Sequence, residues 1–264
     1  LYLPFRPKRR TRGAIAREKG LAPLAQALLD QPAKGPQPEA LAAGYVNPQA
    51  GIDTAQAALA GAMDIAAEEI ADRADLRGTL RDKMMEQGRL VSRSKGEPDP
   101  VYQLYASFSA PVKRLQGYQI LAVNRGEKEG KLAVSVELAP FIAMGAVERL
   151  VISGRGPYTA WVRSAAEDAY TRLLQPSLER EVRGALTEGA NRQAIGVFAA
   201  NLKPLLLQPP LRGKAVLGFD PGYRTGCKVA VVDATGKVME TTAVYPTPPH
   251  NRRQQAEEVI LELM

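Results

Sequence analysis

AVLGFDPGYRTGCKVAVVDATGKV, Ala215 to Val238, holds two apolar runs separated by turn residues, and its reading decides the fold of everything after it. Ala215 to Phe219 and Cys227 to Val232 are short and apolar, the pattern of buried strands. Pro221-Gly222 turns the chain, so the second run returns antiparallel after Gly226. Asp233-Ala-Thr-Gly236 is a second turn, and Lys237 to Tyr245 is a third strand. Asn251 with Gln254 then reads as a cap for a helix with Ala256, Val259, Ile260 and Leu263 on one face. Residues 211–264 are thus expected to begin an α/β domain. Its first strand delivers Asp220 to the sheet edge. A single carboxylate there suits either a divalent metal or the hydrogen bonds of its own Pro-Gly turn.

Upstream of Gln208-Pro-Pro-Leu-Arg-Gly213 the periodicity is helical, so a domain boundary is placed in that segment. Residues 21–207 read as a mainly α central domain with a small β element. Leu21, Leu24, Ala25 and Leu28 share one helical face after a break at Gly20. Asp53 and Gln56 are expected to cap a helix with Leu59, Met63, Ala66 and Ile70 in register. Its eight alanines between Ala55 and Ala71 favour helix and let neighbouring helices approach closely. Leu90 to Pro111 gives mixed signals. Tyr118 to Arg125 reads as a short helix ended by Asn124 and Gly126, and Leu132, Val134, Val136 and Leu138 alternate as in a half-buried strand. Ser164 with Glu167 is expected to open a long helix that Pro176 ends or kinks.

The net charge of +7 is unevenly spread. The first nineteen residues hold Arg6, Lys8, Arg9, Arg10, Arg12, Arg17 and Lys19 against Glu18 alone, and the rest of the chain is close to neutral. Residues 1–20 are therefore a basic lead segment. With Tyr2 and Phe5 alongside, Arg6, Lys8, Arg9, Arg10 and Arg12 can contact phosphates while an aromatic ring stacks on a base.

Other chemistries find little support. One cysteine, Cys227, and one histidine, His250, cannot form an internal disulfide or a four-ligand Cys/His zinc site, and they point to a reducing cytoplasmic setting. No apolar run has transmembrane length, so no membrane is expected. Asn124 to Lys131 fails as a Walker loop, because three residues separate its glycines and Leu132 follows the lysine. Gly154-Arg-Gly156 lacks the third glycine of a dinucleotide fingerprint. No cofactor is expected.

The Ala215 to Val238 stretch resembles the start of the RNase H-like domain of Holliday-junction resolvases and, more closely, of Tex-type transcription accessory proteins. The Tex resemblance extends over essentially the whole chain. It is densest at YLPFRPKRRTRGAIAREKGLAPL (Tyr2 to Leu24), YQLYASFSAPVKRLQGYQILAVNRGEKEG (Tyr102 to Gly130) and Leu206 to Val238. It implies an internal fragment of a cytoplasmic, RNA- and DNA-binding protein acting around transcription, with RNA polymerase or the ribosome as possible partners. The family's OB-fold and helix-hairpin-helix modules are absent from these residues. In the resolvases, the aspartate matching Asp220 is the first of several metal-holding carboxylates. Tex-type proteins carry a degenerate version, so a non-catalytic chain is expected, with a metal-dependent nuclease using Asp220 as the alternative. Asp233 and Glu240 are expected to be solvated. Two positions depart from the family pattern: Ala110 replaces a commonly acidic residue, and Gly117-Tyr118 replaces Ser-His.

Overall fold

A computed structural model of the chain describes residues 10–209, 211–222 and 224–264. It forms two compact units, one reaching to Gly196 and one spanning Val197–Met264. The mainly helical first unit with its small sheet, and the α/β start in the second, are the expected fold class.

The first unit is organised around α4 (Ala55–Asp72), which packs against α1 (Arg12–Glu18), α2 (Ala22–Leu29) and α3 (Pro38–Ala43). Its alanines work as expected: Ala58, Ala62, Ala66 and Ala67 are buried and let Leu59, Ile65 and Ile70 reach their neighbours. The cap is Thr54, one residue later than expected, and its hydroxyl accepts from Ala57 N–H at 3.1 Å. Ile52, buried and bridged to Asn47, fixes the chain just before it. α5 (Ala74–Gln87) follows.

The mixed segment resolves into two strands, β1 (Arg89–Ser94) and β2 (Ser107–Pro111), which join β3 (Leu132–Glu137) in an antiparallel sheet of order β2-β1-β3. α6 (Gly117–Lys128) runs through Asn124 and Gly126 instead of ending there. Gly126 is a packing residue, since a Cβ on it would lie 2.6 Å from a Leu132 methyl. The helix ends into Gly130, whose φ of +73° takes the left-handed turn into β3. α7 (Pro140–Val151) leads to α8 (Thr159–Asp168). Ser164 therefore lies inside α8 and does not cap it; Val162, Ala165 and Ala166 put the buried face across that point. A π turn over Ala169–Leu174 joins α8 to α9 (Gln175–Leu206). Pro176 neither ends nor breaks the helical run: the wider turn before it relieves the clash of its ring with the carbonyl four residues back.

Side chains engage both edges of the first sheet. On β3, Val136 N–H donates to Glu179 at 3.0 Å and Val134 carbonyl accepts from Arg183 at 3.1 Å, so one turn of α9 satisfies the outer edge. On β2, Ser94 N–H donates to Ala106 carbonyl and Val112 N–H to Gly88 carbonyl. That phase turns Phe108 and Ala110 inward and leaves the backbone groups of Ser107, Ser109 and Pro111 outward. Arg89 takes the outward Ser109 carbonyl at 3.0 Å, and Pro111 has no N–H. Such edges resist pairing with another strand.

In the second unit β4 (Val216–Asp220), β5 (Cys227–Val232) and β6 (Val238–Val244) form an antiparallel sheet of order β4-β5-β6, and α10 (Arg253–Glu262) follows. Val229, Val244 and Ala256 make its small core, with Leu217, Cys227, Val259, Ile260 and Leu263 against it. Asn251 does not cap α10; it has a φ of +50°, and its N–H donates back to Thr247 carbonyl. Arg252 occupies the cap position without a side-chain bond.

Candidate nucleic-acid interface

Thr11 begins the described part of the basic segment's helix, its hydroxyl accepting from Ala14 N–H at 3.0 Å. This puts Arg10 and Arg12 at the N-terminus of α1, where the helix dipole disfavours cations. Acidic side chains offset that. Glu68 on α4 accepts from Gly13 N–H at 2.9 Å and from Arg17 at 3.0 Å, while Glu69 takes the other arm of Arg17 at 3.3 Å. A side chain at position 13 would collide with the Glu68 carboxylate. α1 is thus anchored at a site Gly13 alone permits.

The neighbouring charges form one network. Arg172 bonds Asp168 and reaches Asp64 at 3.4 Å. Burial pushes the Asp64 carboxyl above its ordinary value, against the pull of Arg172 and Arg12. Arg17 is consumed internally. Arg10 pairs with Glu18 at 2.9 Å, but both are well exposed, with 74% of the Arg10 side chain open. Such a pair is worth about 1 kcal/mol or less and is readily exchanged for a phosphate. Arg12 is exposed at the first helical position. The structure therefore brings Arg10 and Arg12 together at the exposed tip of α1. Arg6, Lys8 and Arg9 lie outside the described residues.

Asp220 ends β4, as expected, with its side chain 75% exposed and its nearest cation, Lys228 Nζ, at 3.9 Å. Asp220 is in register with Lys228, and Lys228 with Ala243. Glu240 pairs with Val231 three residues along, and Asp233 lies past the far end of β5. The two are not brought to Asp220. Asp233 organises its turn by accepting from Thr235 Oγ1, Thr235 N–H and Lys237 N–H at 2.7–3.0 Å, and these bonds hold its carboxyl below the ordinary value. Among the described residues no three His, Cys, Asp or Glu side chains gather as a metal site. His250 packs edge-on against Tyr245, ring centroids 4.9 Å apart.

A second cationic surface was not singled out from sequence. Arg89, Val91 and Arg93 alternate along β1, beside Ser107 and Ser109 of β2 and Ser135 and Glu137 of β3, all on the face turned away from the core. All of these but Ser135, with Leu138 to Pro140, line a cleft of about 490 Å³. The period-two pattern of RLVSRS was the available signal. It was obscured because the buried face of that strand carries Ser92 and Ser94.

The family model described as Tex central region-like matches residues 33–198, and that of the Tex protein YqgF-like domain matches residues 214–264. The chain belongs to the Tex family. Among curated Tex relatives, Protein tex of Bordetella pertussis is 42% identical over 271 residues, covering 96% of this chain and 34% of that protein. The transcriptional accessory protein Tex of Neisseria gonorrhoeae is 40% identical over 255 residues, covering 93% and 33%. A human relative named S1 RNA-binding domain-containing protein 1 is 30% identical over 253 residues, covering 89% and 25%. The chain thus spans about a third or less of the length of these Tex relatives. No helix among its described residues is long and apolar enough to cross a membrane.

Proposed function

We propose that this chain is the nucleic-acid-binding, non-catalytic part of a cytoplasmic transcription accessory protein, and that Arg6, Lys8, Arg9, Arg10 and Arg12 contact the phosphates of RNA or single-stranded DNA. The observation that carries the reading is the anchored α1: Glu68 and Glu69 neutralise Arg17 and hold the helix, while Arg10 and Arg12 stay exposed at its tip. One relative is named for transcriptional accessory function and another for an S1 RNA-binding domain, which agrees with this assignment. The separation of Asp220 from Asp233 and Glu240 supports the non-catalytic part of it, because two-metal hydrolysis needs several carboxylates converging on ions about 4 Å apart.

Binding by such a segment is sequence-indifferent and salt-sensitive. Three phosphate contacts give a slope of log affinity on log salt of roughly −2 for single strands. Fluorescence anisotropy at low salt with the quadruple variant Lys8→Ala, Arg9→Ala, Arg10→Ala and Arg12→Ala tests it. Most of the affinity is expected to vanish; unchanged binding would remove the arm from the interface. Co-purification with and without nuclease treatment separates this reading from direct docking on RNA polymerase or the ribosome, since only the latter survives the nuclease.

A further inference from the structure

The outward face of the β2-β1-β3 sheet carries charge that the fold uses only in part. Side chains engage backbone groups on both edges of that sheet, and its outward face is the broad open surface. Arg93 is exposed and joins no ion pair among the described residues. Arg89 is exposed as well and is held by the Ser109 hydroxyl and carbonyl, at 2.9 and 3.0 Å, without a carboxylate. Glu137, the one acid of the cleft, is in register with Arg89 but lies on the opposite strand, where Ser135 donates to it at 3.1 Å. Positive charge therefore runs along β1, with the serine hydroxyls of β2 beside it, and Leu138 to Pro140 wall the cleft.

We propose that this face binds the phosphodiester backbone of single-stranded nucleic acid, with Arg89 and Arg93 each taking a phosphate. The two arginines are four residues apart on one strand, about 13 Å, which spans three or four nucleotides at a stacked rise of about 3.4 Å each. Planar guanidinium forks suit phosphate oxygens, and the hydroxyls of Ser107 and Ser109 supply neutral donors between them. On β1 and β2 the exposed groups of the face are arginines and serines, and Phe108, the ring in the cleft lining, is only partly exposed and packs edge-on against Tyr105, so the face reads backbone and not base. The proposal rests on the nucleic-acid reading above and adds a site independent of the basic arm.

The test is anisotropy of a labelled oligouridine of about twenty nucleotides, long enough to cover both sites at the rise just used, with the chain as it exists. Arg93→Ala, Arg93→Glu and Arg89→Ala are compared with Arg149→Glu, a change of equal charge at an exposed position on α7. Arg93→Ala is expected to weaken binding roughly three- to tenfold and to flatten the salt slope by about 0.7, one phosphate contact. Arg93→Glu is expected to weaken it further, and both losses to persist in the arm quadruple variant. Circular dichroism checks that each variant folds. Equal loss from Arg93→Glu and Arg149→Glu would mean net charge and not a site, and would overturn the proposal. So would parent-like binding by both Arg93→Glu and Arg89→Ala, or competition by polyglutamate as effective as by unlabelled RNA of matched charge, which would assign the face to an acidic protein. Absence of binding by the parent itself would instead remove the reading on which both sites rest.

Discussion

The chain contains two three-stranded antiparallel sheets of nearly equal size, and they are held in very different ways. In the first, Leu90, Val134 and Val136 are at most 8% exposed, and the inner face belongs to a core shared with α4, α5, α7 and α8. Its edges are engaged by Glu179 and Arg183 on one side and, at the Ser109 carbonyl, by Arg89 on the other. In the second, the buried core is Val229, Val244 and Ala256, while Phe219 is 50% exposed and Leu261 65%. Strand number and antiparallel pairing are alike, so neither explains the contrast. Cover does: a three-stranded sheet gains little until its apolar face is removed from water.

The largest effect expected from this comparison is a gap in core sensitivity. Ile65→Ala, at a fully buried position of α4, should cost about 2–5 kcal/mol, because the surrounding alanines cannot collapse into the space. Val229→Ala removes less volume from a core with few neighbours and should cost about 1–2 kcal/mol. Hydrogen exchange should show slower opening in residues 55–72 than in 216–232. Equal protection of the two segments would mean that the second sheet has cover the comparison overlooks.

Sequence reading was strongest where period and burial agree. The apolar faces of α2 and α4 and the alternation of β3 were legible because each buries the residues its periodicity presents. β1 and β2 were not. Ser92, fully buried with a hydroxyl that has no partner among the described residues, sits on the inner face of β1 and breaks the expected alternation. The pairing that rescues it comes from β2 and β3, the latter some forty residues along the chain. The false cap at Ser164 shows the converse limit: a polar pair three residues apart also occurs mid-helix, facing solvent. At the interface, the composition of the arm was plain, but its anchor was not, since Glu68 lies 55 residues from Gly13. Asp220 was placed correctly on its strand, and the register shows Glu240 paired three residues along from it, in keeping with its reading as a solvated residue of the next strand.

A middling effect should sharpen the edge comparison. Arg183 bonds Glu127, Asn124 and the Val134 carbonyl, so the closed edge of β3 depends on a charged group. Those bonds from Arg183 hold the Glu127 carboxyl below its ordinary value. A depressed carboxyl contributes stability that is present above its unfolded value, near 4.5, and is lost as pH falls through the lower folded value. Glu127→Gln should therefore cost about 1 kcal/mol at neutral pH, the pair being partly exposed. The difference from the parent should shrink as pH falls below the ordinary carboxyl value. Denaturant titrations at several pH values check this; a gap that widens toward acid would reverse the assigned sign.

The smallest effect belongs to Asp220, at the end of the less covered sheet. Its side chain is three-quarters exposed, and Lys228 at 3.9 Å is too distant and too solvated to contribute measurably. Asp220→Asn keeps size and shape, so stability should change by no more than about 0.5 kcal/mol. Binding should be unaffected, because removing one negative charge in the second unit touches neither the arm nor the cleft. Cleavage should be absent for parent and variant alike: magnesium gives up its water reluctantly and binds a lone carboxylate weakly, and Glu240 and Asp233 are held elsewhere by register and by the turn. A gel assay on labelled single strands, duplex and four-way junctions, with magnesium and with manganese, compares the two proteins. Cleavage by the parent that Asp220→Asn abolishes would make the open edge of this sheet a metal site, and its sparse cover would then be the opening through which substrate enters.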